Sequence, residues 1–142
     1  MTLEKKTLSL KGEFFVSIYY EDTDFTGYVY HANYLKFFER AREELIGFNF
    51  LKQLYAEEKH FVIKDLTMNF KKPAHHSDRL KIKTFAEISS SPRALFRQEA
   101  WLIRKEDKKE ALLVSADLKL VFVGSLGKPI RIDLKQWSHL TA

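Results

Sequence analysis

Residues 19–31 have the sequence YYEDTDFTGYVYH and join two segments with different hydrophobic periodicities. Before this stretch, apolar side chains from Glu13 to Tyr20 alternate with a period of two, which predicts a β-strand. After it, apolar side chains from Leu35 to Leu45 recur at spacings of three and four, which predicts a helix of about fifteen residues. The stretch is therefore the loop between a strand and a helix.

This loop concentrates groups that can act on an acyl carbonyl. Asp24 is followed by a turn at Gly27, and His31 lies at the expected start of the helix. Unpaired N–H groups at a helix N-terminus carry roughly half a positive charge together, which suits a developing oxyanion. A carboxylate beside such donors is the smallest set of groups that attack on an acyl carbonyl requires. From spacing alone, Asp24 could equally cap the turn that follows it.

A longer motif surrounds these residues, and it resembles a known family. The pattern Tyr-x-Asp-Thr-Asp-x-x-Gly-x-Val-Tyr-His-x-x-Tyr begins at Tyr20 and is followed by Phe-Glu-x-Ala-Arg from Phe38. It resembles the hot-dog-fold acyl-CoA thioesterases of the 4-hydroxybenzoyl-CoA thioesterase class. Within that class it is most similar to the bacterial YbgC-type enzymes associated with the Tol-Pal envelope system. The resemblance extends over residues 13–125, including the order of the strands.

The resemblance implies an enzyme that hydrolyses acyl-CoA thioesters to a carboxylic acid and coenzyme A. Asp24 then acts as general base or nucleophile, and the backbone N–H of His31, with its imidazole as a further donor, polarises the carbonyl. The residues expected to contact the substrate are Tyr20, Gly27, Val29, Tyr30, Phe61, Val62 and Ile63. No metal or cofactor is expected, because coenzyme A is part of the substrate. The carrier is coenzyme A or an acyl carrier protein, and a homodimer or homotetramer is implied.

Two other functions fit the same residues. A hot-dog hydratase would use an Asp and a His to move protons across a carbon–carbon bond of an enoyl or hydroxyacyl thioester. A non-catalytic module would bind acyl thioesters or acyl carrier protein without turning them over. The segment Asp22–Thr26 also matches the Asp-x-Asp-x-Thr motif of haloacid-dehalogenase-like phosphatases, but 142 residues rich in hairpin-like strands do not provide the parallel sheet of that fold.

The rest of the chain predicts the remaining elements of an α+β fold. Gly47 is expected to end the main helix, and a short second helical stripe follows it. From His60 onward the pattern has a period of two, which predicts four more strands joined by turns. In the first of these, Val62, Leu66 and Met68 are expected on one apolar face. Together these elements predict a single domain over residues 1–142, an antiparallel five-stranded sheet curled around one long helix.

Composition limits the possible functions. The chain has no cysteine, which excludes thiolate zinc sites and cysteine nucleophiles, and its histidines are not at metal-ligand spacing. No apolar run reaches the length of a membrane span and no signal peptide is recognisable, so a cytoplasmic location is expected. The net charge of +5 favours an anionic partner such as coenzyme A, nucleic acid or lipid, although no nucleic-acid recognition motif is visible. Glu21 and Asp22 are expected to raise the pKa of Asp24 by charge repulsion.

Overall fold

Five long strands form one antiparallel sheet. The structure is a computed structural model and describes residues 7–141. The strands are β1 (Thr7–Ser17), β2 (His60–Phe70), β3 (Arg79–Ser89), β4 (Arg93–Ile103) and β5 (Glu110–Val123). They are ordered β1-β3-β4-β5-β2, so that β1 and β2 are the edge strands. The predicted antiparallel five-stranded sheet is confirmed.

The helices lie in two places, between β1 and β2 and after β5. They are α1 (Asn33–Ile46), α2 (Phe48–Ala56) and α3 (Leu134–Trp137), with 3₁₀ turns at Tyr20–Asp22 and Ser138–Thr141. Gly47 separates α1 from α2 with a φ of 97°, a conformation that favours glycine. The helical part between β1 and β2 is therefore a 14-residue helix followed by a nine-residue helix. Within residues 7–141, no helix is both long and apolar enough to cross a membrane.

The core lies between α1 and the inner face of the sheet. Phe37, Phe38 and Ala41 are buried on the side of α1 that contacts β1 and β3. The sheet supplies Leu80 and Ile82, which are completely buried. Burying this apolar stripe fixes the position of α1, and with it the position of the loop that enters the helix.

A buried polar network also connects α1 to the sheet. Arg42 Nη1 donates to Oε1 of Gln98 at 2.9 Å, and Gln98 Nε2 donates to the carbonyl oxygen of Phe38 at 2.9 Å and the hydroxyl of Thr84 at 3.0 Å. Gln98 is fully buried, so each of these bonds satisfies a polar group that water does not reach. Burial also lowers the pKa of the Arg42 guanidinium.

The first strand begins and ends earlier than predicted. Thr7 already pairs with Ser89, and the strand ends at Ser17 rather than Tyr20. The early end has a local cause, because the carboxylate of Asp22 accepts a hydrogen bond from Tyr19 N–H at 2.9 Å and closes the 3₁₀ turn. Tyr20 therefore leaves the sheet and is 78% exposed.

A β-bulge in β2 changes which side chains face the core. The pairing with β5 shifts between Ile63 and Asp65, leaving Lys64 as the extra residue. Side chains that lie opposite the inner-facing positions of β5 are Phe61, Ile63, Leu66, Met68 and Phe70. Val62 pairs with Val121 and lies on the outer face, so its predicted grouping with Leu66 and Met68 is wrong. A strict period of two does not allow for the extra residue.

Candidate active site

The loop between β1 and α1 is closed by its own backbone. Asp24 N–H donates to the carbonyl oxygen of Tyr28 at 2.9 Å, Gly27 N–H donates to the carbonyl oxygen of Asp24 at 3.0 Å, and Thr23 forms a β-bridge with Val29. Gly27 has a φ of 86°, and a Cβ built there would meet no atom within 4 Å. Glycine is therefore favoured at this position because of its positive φ, and not because a side chain would collide with neighbouring atoms.

Neighbouring segments fix the orientation of this loop. Val29 N–H donates to the carbonyl oxygen of Ala74 at 2.9 Å, which attaches the loop to the turn after β2. The carbonyl oxygen of Asp22 accepts from both Tyr30 N–H and Asn33 Nδ2, each at 2.9 Å. These contacts tie both ends of the loop to the start of α1.

The carboxylate of Asp24 is held by one neighbour. Thr26 donates two hydrogen bonds to Oδ1, one from its backbone N–H at 2.9 Å and one from its hydroxyl. These bonds, with a smaller contribution from the charge of His31, lower the pKa of Asp24. The expectation that Glu21 and Asp22 raise this pKa is wrong, because hydrogen bonds to the charged form outweigh any repulsion.

His31 immediately precedes the N-cap of α1. Its ring makes edge contacts with Tyr30, at 4.7 Å between centroids, and with Phe70, at 6.4 Å. Within residues 7–141, no hydrogen-bond acceptor pairs with its backbone N–H, whereas Asn33 N–H is satisfied by the carbonyl oxygen of Tyr30 at 2.8 Å. An N–H group is thus left available beside the helix terminus, where the helix dipole favours negative charge.

Asp24 and His31 line the same cavity. It has a volume of about 290 Å³, and its walls are Asp24, Tyr28, Val29, His31, Tyr34, Phe70, Lys71, Lys72 and Pro73. The structure therefore brings together both predicted catalytic residues and the predicted contact Val29. Its arrangement of a carboxylate, an unpaired N–H and an apolar wall is suited to binding a polarised carbonyl.

Comparison with known proteins places this arrangement in a family. Residues 19–137 match the family model of the Thioesterase-like superfamily. The chain belongs to this superfamily. It is 41% identical over 116 residues to "Acyl-CoA thioesterase YbgC" of Haemophilus influenzae, covering 80% of each chain. It is 35% identical over 127 residues to "Acyl-CoA thioester hydrolase YbgC" of Escherichia coli O6:H1, covering 85% of this chain and 93% of that one.

A solved structure agrees with these relatives. A probable thioesterase from Bartonella henselae is 35% identical, with a TM-score of 0.64, and the alignment covers 87% of this chain and 99% of that one. The resemblance inferred from the motif that begins at Tyr20 is confirmed.

Other residues predicted to contact substrate in this thioesterase-family chain lie elsewhere. Tyr20 stacks on His76 with ring centroids 4.1 Å apart and does not line the Asp24 cavity. Tyr30 is 45% exposed and reaches the site only through its contact with His31. Gly27 shapes the loop by its backbone.

Phe61 and Ile63 line a second cavity, at the other end of β2. This cavity has a volume of about 460 Å³ and lies between α1, α2 and the inner face of β2. Glu39, Arg42 and Glu43 lie on its α1 side. Val62 is on the opposite face of the sheet and does not line it.

Sequence reasoning did not single out Tyr28, Phe70 or Pro73 as part of the site. Tyr28 precedes a position that the motif specifies, which is a weak signal. Phe70 and Pro73 come from the end of β2 and the turn after it, about forty residues away in the chain. Backbone pairings of Tyr28 and Val29 with residues of that turn bring it to the loop, and nothing in a single sequence signals these pairings.

The lysines at the Asp24 cavity differ from several basic side chains on the sheet in having no carboxylate partner within the part of the chain that the structure describes. Lys71 and Lys72 line the Asp24 cavity and form no ion pair among the described residues. By contrast, Lys81 and Lys83 form ion pairs with Glu110, and Arg97 with Asp117 at 2.9 Å. Of residues 7–141, no three His, Asp or Glu side chains are grouped so as to hold a metal ion.

Proposed function

We propose that this protein hydrolyses acyl-CoA thioesters, releasing a carboxylic acid and free coenzyme A. The observation that carries the proposal is one cavity, in a chain of the Thioesterase-like superfamily, that is lined by both Asp24 and His31, the latter with a backbone N–H that no acceptor among the described residues pairs with. Relatives at 35–41% identity are named acyl-CoA thioester hydrolase or thioesterase, which supports the same substrate class. The predicted cytoplasmic location, role in lipid metabolism, single domain over residues 1–142 and possible acyl-carrier-protein partner stay parts of this proposal.

The chemistry divides between the two groups. The N–H of His31 donates to the carbonyl oxygen and stabilises the negative charge that develops there, with the imidazole as a further donor. In one route, Asp24 takes a proton from water as the water oxygen attacks the carbonyl carbon. The C–S bond then breaks, and the leaving thiolate takes that proton to become the thiol.

In the alternative route, Asp24 itself attacks the carbonyl carbon. The C–S bond breaks, the coenzyme A thiolate leaves and is protonated by solvent, and the acyl group remains as a mixed anhydride with Asp24. Water then opens the anhydride to give the free acid and restores the carboxylate. Both routes require an ionised Asp24, and the lowered pKa of this residue suits both.

Two lysines are suited to hold the nucleotide part of the substrate. Lys71 and Lys72 follow β2 at the wall of the Asp24 cavity, and both are exposed. Their charges are not neutralised by ion pairs within the described residues. We assign the phosphates of coenzyme A to this pair, because cationic side chains at the mouth of a cleft attract an anionic ligand.

A homodimer completes the site. The Asp24 cavity alone, at about 290 Å³, is at the small end of ligand pockets. β2 is an 11-residue edge strand without proline, and it exposes Val62, Ile63, Leu66 and Phe70. An edge of this length and apolar character is a template for pairing with another chain. The proposed partner is a second copy, with the two β2 strands antiparallel across a two-fold axis.

This pairing joins the two cavities. Two copies of β2 paired antiparallel about their midpoints bring the Phe70 end of one strand beside the His60 end of the other. Phe70 lines the Asp24 cavity, whereas His60, Phe61 and Ile63 line the second cavity, which is the larger of the two. Each site in the dimer then has its carboxylate from one subunit and its acyl-binding walls from the other. Association of two such dimers gives the homotetramer that the resemblance also allows.

Release of free thiol from a panel of acyl-CoA substrates tests the proposal. The purified protein and its Asp24→Asn variant are incubated with saturated acyl-CoAs of increasing chain length and with aryl-CoAs, and thiol is measured with dithionitrobenzoate. Thiol release that depends on Asp24 supports hydrolysis. Binding of acyl-CoA without turnover above the Asp24→Asn control would instead indicate a binding module. Water addition to an enoyl-CoA without thiol release would indicate a hydratase.

A further inference from the structure

Thr26 makes more contacts with Asp24 than the loop fold requires. The loop is already closed by backbone bonds from Asp24 to Tyr28 and from Gly27 to Asp24, and by the bridge between Thr23 and Val29. The Thr26 side chain is exposed, and its only hydrogen-bond partner among the described residues is Oδ1 of Asp24. Its hydroxyl is therefore directed at the carboxylate, with no second role in holding the loop.

The two oxygens of Asp24 are consequently unequal. Oδ1 accepts from both the N–H and the hydroxyl of Thr26. Within residues 7–141, no side chain or backbone group of another residue donates a hydrogen bond to Oδ2. A carboxylate with one oxygen fixed at two points cannot rotate freely, and the remaining oxygen keeps its lone pairs for water or for the carbonyl carbon.

We propose that Thr26 is a positioning residue that holds Oδ1 of Asp24 and thereby directs Oδ2 into the cavity, toward the thioester. This inference rests on the proposed function, since it assigns Thr26 a part in the same hydrolysis. It also gives Thr26 an electrostatic effect, because donors to the ionised form keep the carboxylate charged at lower pH. Thr26 thus supports both the geometry and the charge of the reacting group without touching the substrate.

Other titratable groups line the same cavity as Asp24, and among them His31 contributes to its lowered pKa. His31 precedes α1, Tyr34 lies on α1, and Lys71 and Lys72 follow β2 on the far wall of the cavity. Tyr28 contributes from the loop itself. All of these are unchanged by substitution at position 26. A shift in the titration of Asp24 on removing the Thr26 hydroxyl therefore reports on that hydroxyl.

The test compares three variants with the wild type by measuring kcat and kcat/KM against pH. Thr26→Val keeps the shape and the backbone N–H but removes the hydroxyl, whereas Thr26→Ser restores a hydroxyl. We expect Thr26→Val to lower kcat roughly tenfold and to move the acidic limb of kcat/KM to higher pH, and Thr26→Ser to return both toward wild type. Thr23→Val is the matched control, because its hydroxyl donates to the carbonyl oxygen of Tyr20 at 2.8 Å and not to Asp24. Its acidic limb should stay in place.

Two results would overturn the inference, and they differ. If Asp24→Asn is inactive but Thr26→Val has the kcat and acidic limb of the wild type, the proposed hydrolysis stands and Thr26 only shapes the loop. If Asp24→Asn keeps full activity, the catalytic role of Asp24 fails and the role of Thr26 fails with it. A ¹³C NMR titration of the Asp24 carboxyl in the absence of substrate decides the matter should Thr26→Val be too slow to assay. An unmoved titration in that variant counts against the inference.

Discussion

Two aspartates in the same loop have different roles because different donors surround them. The carboxylate of Asp22 accepts from Tyr19 N–H and closes a 3₁₀ turn, so it serves the fold. Asp24 lines the cavity, and among the described residues only Thr26 donates to its carboxylate, at Oδ1. The same carboxylate group, at positions two residues apart, thus closes a turn in one case and is the proposed reactive group in the other.

Asp24→Asn tests the reactive role directly. We expect kcat to fall by about 10²-fold or more with KM little changed, because an amide neither accepts a proton nor attacks, yet fills the same space. The lowered pKa of Asp24 adds a pH dependence to this prediction. Wild-type kcat/KM should stay level as the pH falls below the ordinary range of an aspartate, and decline only when Asp24 is protonated. A folded Asp24→Asn protein with near wild-type kcat would contradict the assignment.

His31→Ala is expected to be less damaging than Asp24→Asn. The backbone N–H that we assign to the carbonyl oxygen survives the substitution, and only the imidazole and its ring contacts are lost. The measurement is kcat/KM for both variants with one substrate at one pH. A larger loss for His31→Ala would make the imidazole the principal acid or base.

At the level of single residues, the sequence could indicate Asp24 and His31 as candidates, but not the side chains that contact them. The motif marks the two as candidates because carboxylate, glycine and histidine occur at a recognisable spacing. The hydroxyl of Thr26 and the ring of Phe70 belong to the site through geometry alone. Rotamers and pairings between distant segments decide such contacts, and neither has a pattern in one sequence.

Among the elements, periodicity predicted the strands and helices well and their faces less well. β2 to β5 and the break at Gly47 follow from alternation and from turn residues. The inner face of β2 does not, because the bulge at Lys64 reverses the alternation partway along the strand. This matters for the proposed dimer site, since the bulge is what places Phe61 and Ile63 on the cavity side and Val62 on the other.

The Gln98 network predicts how firmly α1 is attached to the sheet. Gln98→Ala removes the partner of Arg42, the donor to the Phe38 carbonyl and a completely buried side chain at once. We expect the free energy of unfolding in urea to fall by about 2–4 kcal/mol at fixed protein concentration, from unsatisfied polar groups plus a cavity.

The matched control for this variant is Gln53→Ala. Gln53 is an exposed residue of α2 whose amide contacts only Glu57 among the described residues, at 3.3 Å, so its loss should change the unfolding free energy by less than about 0.5 kcal/mol. Equal effects of the two substitutions would show that the buried network contributes nothing beyond an exposed side chain.

At the scale of the whole molecule, net charge matters less than where charge is left unpaired. On the outer face of the sheet, Lys81, Lys83 and Arg97 are paired with carboxylates. Lys71 and Lys72 are not, and they border the site. The net charge alone does not distinguish these five residues, whereas the fold leaves Lys71 and Lys72 without an ion pair among the described residues.

Added salt and substitution of a lysine should therefore both weaken substrate binding. KM for acyl-CoA is expected to rise with ionic strength, and Lys72→Ala should raise it about two- to fivefold at low salt, as for an exposed charge pair. The exposed Lys128, in the turn after β5, supplies the control Lys128→Ala, which should leave KM in place. Acyl-pantetheine substrates lack the nucleotide and should respond weakly to both. Equal salt dependence of KM for the two substrate types would show that the lysines do not bind the substrate.

The proposed dimer predicts that a site can be rebuilt from two inactive chains. One chain carries Asp24→Asn. The other carries Glu43→Trp, which fills the larger cavity from an exposed position on α1, away from the β2 edge. Glu44→Trp, one residue further on, points outside that cavity and should stay active. In a mixed dimer one site contains both lesions and the other contains neither.

Random pairing makes half of the dimers mixed, and each of these has one intact site of two. Co-refolding equal amounts of the two inactive chains should therefore restore about a quarter of wild-type activity. Native mass spectrometry measures the fraction of mixed dimers, and the recovered activity should follow that fraction as the mixing ratio is changed. Mixed dimers without recovered activity would place each site within a single chain. Both lesions would then act on a site formed within one subunit, and the pairing of two β2 edges would serve stability alone.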